Sequence, residues 1–166
     1  SAGKLLESAT ELRKKKANKS GAHNNKSGFG SVFKKAFFNL YDASLCASTP
    51  EFTWDSTFAI TLDYNRGFSS KQLTKATIVE MARLSGQDEE TFDPIRQTVS
   101  QCFPDVEKND QITGISLGAD QAVFYKNGSQ TCDVKWDGFR EHFFGIWLSD
   151  ESRSEKKSRR LRGLEK

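Results

Sequence analysis

ITGISLGADQAVFYKNGSQTCDVK, residues 112–135, is the stretch that sets the fold class. It holds three short runs of strand-forming residues separated by two turn signals. Residues 112–117 end at Gly118-Ala119-Asp120. Residues 122–126 run into Asn127-Gly128, a pair that tolerates the positive φ of a two-residue hairpin and is the strongest short hairpin signal a sequence can carry. Residues 129–135 close the set. Three strands joined by tight turns form an antiparallel meander.

Upstream of the meander, Phe103-Pro104 stops a helix over 88–102, in which Phe92, Ile95, Val99 and Cys102 recur at helical spacing and Pro94 marks a start or kink. Before it, Ser69 and Gln72 fit a capping box, Leu73, Thr77, Met81 and Leu84 form a stripe, and Gly86 ends the helix. Phe58, Ile60, Leu62 and Tyr64 alternate with Thr57, Ala59, Thr61 and Asp63, which predicts a half-buried strand. VFKKAFFNLYDASLC (32–46) is aromatic and apolar at both parities, as one strand buried on both faces would be. Residues 3–17 read as an amphipathic helix with Leu5, Ala9 and Leu12 on one face, and 17–28 as a polar linker. Downstream, Asp137 caps a helix bearing Phe139, Phe143, Ile146 and Trp147, and 149–164 forms a last helix held by Leu161 and Leu164. The order of elements predicts an α+β domain over 29–166, a mainly antiparallel sheet covered by helices on one face, preceded by the helix and linker of 1–28.

The 166 residues suffice for one domain with a real core. The net charge of +3 conceals a split. Residues 1–28 carry seven basic and two acidic side chains, a net +5; residues 151–166 carry seven and three, a net +4; the body between is a net −6. An acidic body speaks against a domain that grips nucleic acid, since phosphate binding requires a positive face. No aromatic residue is interleaved with Lys14–Lys16 or with Lys156, Lys157, Arg159, Arg160 and Arg162 to stack bases, so solvated helix faces are the expectation there. No apolar run reaches the length of a membrane span. The chain begins with Ser1, which reads as a processed or appended start, so an export signal can lie out of view.

Chemistry-bearing motifs are scarce. There is no Gly-rich phosphate loop, no GxSxG and no HExxH, and Asp105, Glu107, Asp110, Asp133 and Asp137 read as turn residues without a calcium-loop pattern. His23 and His142 have no nominated partners, and neither a cofactor nor a metal is expected. Cys46, Cys102 and Cys132 lack zinc spacing; three buried thiols are expected, with a Cys102–Cys132 bridge as the alternative if the protein is exported. The aromatic content supports either a packed core or a cleft for an apolar ligand, in which Arg66, just past a strand end, would bind a carboxylate.

LYDASL (40–45), TLDYNRGFSSKQL (61–73), FPDVEKNDQITG (103–114) and FREHFFGIWLSDES (139–152), followed by LRG (161–163), together resemble the bacterial chalcone-isomerase-like family. The resemblance spans roughly 30–163. It implies the open-faced β-sandwich of chalcone isomerase, with a long antiparallel sheet, a helical layer and a smaller sheet element. The plant enzyme cyclises a chalcone by phenolate attack on an enone, using cationic and hydroxyl groups that stabilise the developing oxyanion. Its Arg falls near Asn24 here, its strand Thr at Ala36, its Tyr near Ser70, its Asn near Thr77 and its late Thr near His142. The resemblance therefore implies the fold without the isomerase machinery, with no catalytic residue expected. Relatives lacking the activity are implicated in binding fatty acids, and the bacterial branch looks exported.

The reading that follows is a non-catalytic domain, periplasmic or secreted (alternatively cytoplasmic), that binds a small apolar or amphipathic ligand between sheet and helices. Tyr41, Tyr64, Arg66, Phe124 and Trp147 are the candidate ligand-binding residues. An isomerase or lyase with an altered site, using Arg66 as the oxyanion or carboxylate partner, is one competing expectation. An interaction module that uses the basic ends on anionic surfaces is the other.

Overall fold

A computed structural model describes residues 32–37, 40–47 and 49–164. The expected helix over 3–17 and linker over 17–28 lie outside the described residues. Six strands run in sequence order: β1 (Val32–Phe37), β2 (Tyr41–Ala47), β3 (Phe58–Tyr64), β4 (Gln111–Gly118), β5 (Gln121–Lys126) and β6 (Ser129–Lys135). Every neighbouring pair is antiparallel. Asn127 and Gly128 both hold positive φ, 50° and 88°, as the expected hairpin requires.

The expected single strand over 32–46 is two strands. Val32 pairs with Ala47 and Phe37 with Asp42, so the chain reverses between them. The turn carries no Gly or Pro to announce it, and apolar residues continue through both strands. β3 departs from expectation in another way: all seven of its residues are buried, not alternate ones.

Between β3 and β4 the chain crosses one face of the sheet. Helix α1 (Ser70–Ser85) starts in the expected capping box, with Gln72 N–H donating to Ser69 Oγ and Ser69 N–H to Gln72 Oε1, and stops at Gly86 with φ 68°. Its buried stripe is Thr74, Thr77, Ile78, Met81 and Ala82, so Leu73 and Leu84 lie at the stripe's margin. A 3₁₀ turn (Glu89–Phe92) leads into α2 (Asp93–Cys102), with Pro94 in its first turn, where a missing N–H costs nothing. The smaller sheet element appears, among the described residues, as one bridge between Phe68 and Val106.

After β6 the expected regular helix is a π-helical turn, Arg140–Phe144, running into the short α3 (Gly145–Leu148). Asp137 makes no capping bond there. The wider i→i+5 winding turns consecutive Phe143 and Phe144 both inward, and Phe143 stacks on Phe139 at 5.1 Å. The last segment is helical over Glu155–Leu161 alone (α4), which packs against β1. Leu161 is fully buried but Leu164 is exposed.

The expectation of three thiols is overturned. Cys102, ending α2, is bonded to Cys132 in β6. The helix packs on that strand, and Thr131 Oγ1 donates to the Cys102 carbonyl at 3.0 Å. Glu80 on α1 pairs with Arg83 (3.1 Å) and with Arg153 beyond α3 (2.8 Å). Burial works against the Glu80 carboxylate, but the two arginines outweigh it and hold its pKa low.

Candidate functional site

Register builds the candidate site. β2 opens on Tyr41 and β3 closes on Tyr64, and the antiparallel pairing sets these two opposite each other. Both side chains face the helices, and their rings meet edge to face at 5.8 Å. The π turn carries the chain so that α3 presents Trp147 to the same corner. Its indole Nε1–H donates to the Tyr41 hydroxyl at 2.9 Å. Past the end of β3, Phe68 packs against Tyr64 at 5.9 Å, and the exposed Arg66 guanidinium lies over the Phe68 ring at 4.9 Å.

Four of the five candidate residues therefore form one corner: Arg66, Tyr64, Tyr41 and Trp147. Phe124 is deeper. It reaches Trp147 through Phe143, with ring centroids 5.2 Å apart at each step. An aromatic path thus runs from Arg66 at the surface to the centre of the core.

Packing space lined by Ile60, Leu62, Phe103, Ile112, Phe124 and Trp147, among others, lies along this path. It is too narrow for a water-sized sphere. Candidate residues Tyr64, Phe124 and Trp147 are at once core residues, each less than a twentieth exposed. The expected cleft is therefore closed by its own lining.

Electrostatics make the corner a donor site. Burial pushes the Tyr41 phenol up to about 12, against the Trp147 N–H and with help from Glu80. Burial, then the neighbouring Tyr41, pushes Tyr64 higher still. Both phenols are neutral at physiological pH and can offer O–H bonds, not phenolate chemistry.

The sequence pattern of the chalcone isomerase-like family matches residues 15–161. The chain belongs to the chalcone isomerase-like family. Among solved structures of this fold, it is similar to the crystal structure of a fatty-acid binding protein from Arabidopsis thaliana, at 11% identity and a TM-score of 0.62, over 87% of this chain and 90% of that one. No curated protein matches the chain in sequence.

The positions set against the catalytic residues of chalcone isomerase do not gather at the corner. The Ser70 hydroxyl is bonded to the Ser100 carbonyl at 3.0 Å, and that of Thr77 to the Leu73 carbonyl at 2.8 Å. His142 packs on Phe92 in a separate surface hollow of about 270 Å³, with Trp136 and Asp137 beside it. Asn24 lies outside the described residues, as does the Ala36 side chain. Among the described residues, no three His, Cys, Asp or Glu side chains gather as a metal site would need, and no helix is long and apolar enough to cross a membrane.

Sequence reasoning missed Phe68, which joins Arg66 to the tyrosines, and Phe143, which joins Trp147 to Phe124. Phe68 follows a turn, where no periodicity flags it. It also missed Arg140, a buried arginine whose Nε donates to Ser116 Oγ at 2.6 Å and whose Nη1 donates to the Trp54 carbonyl. Arg140 lies over the Phe58 ring and anchors the 49–57 loop to the sheet.

Proposed function

We propose that this chain is a non-catalytic binding domain for a small amphipathic carboxylate of fatty-acid type. The aromatic path from Arg66 to the apolar core is the observation that carries the reading. The head group sits at the surface end, where Arg66 supplies charge and the neutral phenols supply donors. The tail follows the path inward, displacing Phe143 and Trp147 from the positions they fill in the closed form. The similarity to a fatty-acid binding protein supports the ligand class. The Cys102–Cys132 bridge supports an oxidising compartment, periplasmic or extracellular.

Calorimetric titration of the full chain with dodecanoate and hexadecanoate tests this. Binding is expected, with Arg66→Ala weakening it about tenfold, the scale of one charge-assisted hydrogen bond. The absence of binding by either acid would sink the reading. So would turnover of a chalcone that Arg66→Ala abolishes, which would establish an isomerase in its place.

A further inference from the structure

The hollow of about 270 Å³ beside His142 lies at the far end of the strands from the tyrosine corner. Trp136 follows β6, whose Lys135 pairs with Gln121, and Gln121 pairs with Gly118 at the sheet end where β3 starts. Tyr41 and Tyr64 stand where β3 stops. Three rings make the apolar part of the hollow. Phe92, 1% exposed, is its floor. Trp136 stands 6.5 Å from that ring at a 45° tilt, and His142 meets it edge to face at 5.8 Å. Gln87, Thr91 and Asp137 form the rim.

The backbone holds these residues in place before any ligand arrives. Trp136 N–H donates to the Asp120 carbonyl at 2.9 Å and Gly138 N–H to the Asp120 carboxylate at 2.8 Å, which pins the turn that carries Asp137. Gln87 N–H donates to the Ala82 carbonyl, and Thr91 N–H to the Asp88 carbonyl. Gly138 makes room for the imidazole, since a Cβ there would lie 3.1 Å from His142 Cε1. The charge around the rings has one sign. Asp88, Glu89 and Glu90 precede Thr91, Asp137 lies on the rim, and Glu141 precedes His142; all five are exposed. None of them pairs with a cation among the described residues. Arg140 is the one basic residue within 87–92 and 136–142, and its guanidinium is taken by Ser116 and the Trp54 carbonyl. Strand alternation turns Lys135 to the face of β6 opposite Trp136.

We infer that this hollow binds a small quaternary ammonium cation of choline type. A concave site in acidic surroundings concentrates cations. Aromatic faces attract a cation most when it gives up little hydration, as a methylated ammonium does. The methylated head lies among Trp136, Phe92 and His142, with the Asp137 carboxylate as its counter-charge. A primary ammonium loses more hydration than the rings return, and a neutral molecule of the same shape gains nothing from the carboxylate. The site shares no residue with the tyrosine corner and does not rest on the function proposed for it.

Choline chloride titrated into the full chain at constant ionic strength, and followed in the proton–nitrogen correlation spectrum, tests this. The Trp136 indole N–H and the amides of 136–138 should shift and saturate. The dimethylbutanol isostere, in which a neutral carbon replaces the ammonium nitrogen, should bind at least about fivefold more weakly, as should putrescine, whose ammonium groups carry no methyls. Trp136→Ala should abolish the choline shifts. Should that variant fail to fold, Asp137→Asn decides, because the residue is exposed: it should weaken choline at least about fivefold and leave the rest of the spectrum unchanged. Shifts that do not saturate, or that fall at Tyr41 and Trp147 instead, overturn the inference. So does binding of the neutral isostere or of putrescine as tight as that of choline, or an Asp137→Asn variant that binds choline like the wild type.

Discussion

Gly114 sits directly opposite Phe124 in the β4–β5 ladder, and the ring occupies the space a side chain would take. A Cβ on Gly114 would lie 2.6 Å from Phe124 Cε2, closer than non-bonded carbons come. Phe124 has nowhere to retreat, because Phe103, Phe139, Phe143 and Phe144 surround it. Gly114→Ala should therefore destabilise the protein by about 1–3 kcal/mol through overpacking, read as a lower urea midpoint at unchanged m-value. Tyr41 makes a different prediction. Its phenol titrates near 10 when unfolded and at about 12 when folded. The folded state thus holds the proton more tightly, so this contribution to stability is complete below pH 10 and is lost as pH rises through 12. Tyr41→Phe removes both the titration and the acceptor for Trp147 Nε1–H. It should cost about 1–3 kcal/mol at neutral pH and flatten the alkaline limb of a stability–pH curve measured by denaturant titration.

Elements with local signatures were legible in the sequence. The Asn127-Gly128 hairpin, the Ser69 capping box and the Gly86 stop each rest on backbone chemistry within four residues, and each stands where its residues predict. Elements whose form depends on distant partners were not. The β1–β2 reversal has no Gly or Pro to mark it, only Asn39 among apolar neighbours. The π turn at 140–144 brings Phe139, Phe143 and Phe144 all inward, which a count at 3.6 residues per turn cannot anticipate. The site followed the same division. Tyr41 and Tyr64 could be named as candidates, but their contact depends on strand register, and the closing of the cleft depends on packing. The disulfide falls between the two: the odd cysteine count favoured three thiols and left the Cys102–Cys132 bridge as the alternative, and the docking of α2 on β6 decides for the bridge. It closes a loop with a sequence separation of 30 residues. On the loop-entropy account, Cys102→Ser/Cys132→Ser should cost about 3–4 kcal/mol. Thermal unfolding of the intact chain with and without reductant should show the same loss.

At the scale of the whole molecule, one layer of helices both completes the core and closes the proposed ligand path. Small-molecule sites usually offer roughly 300 Å³ or more, and the space here admits no water-sized sphere. On the proposed function, a tail enters only when the π turn and α3, which carry Phe143 and Trp147, draw back from the sheet. The open form is then a minor state, and apparent affinity is reduced by its population. Binding followed by tryptophan fluorescence should show an observed rate that levels off as hexadecanoate concentration rises, because opening becomes limiting. A rate that stays linear would mean the path is open beforehand. Phe143→Ala separates the two roles of the layer. Removing the ring should cost about 3–5 kcal/mol of stability, as large-to-small core changes do. The same change opens space along the path and removes a side chain that the proposed ligand must displace. Stability should fall while affinity rises and the plateau moves to faster rates. A core residue with no part in a ligand path would lower stability and leave binding unchanged or weaker, so the opposite signs identify Phe143 as the plug.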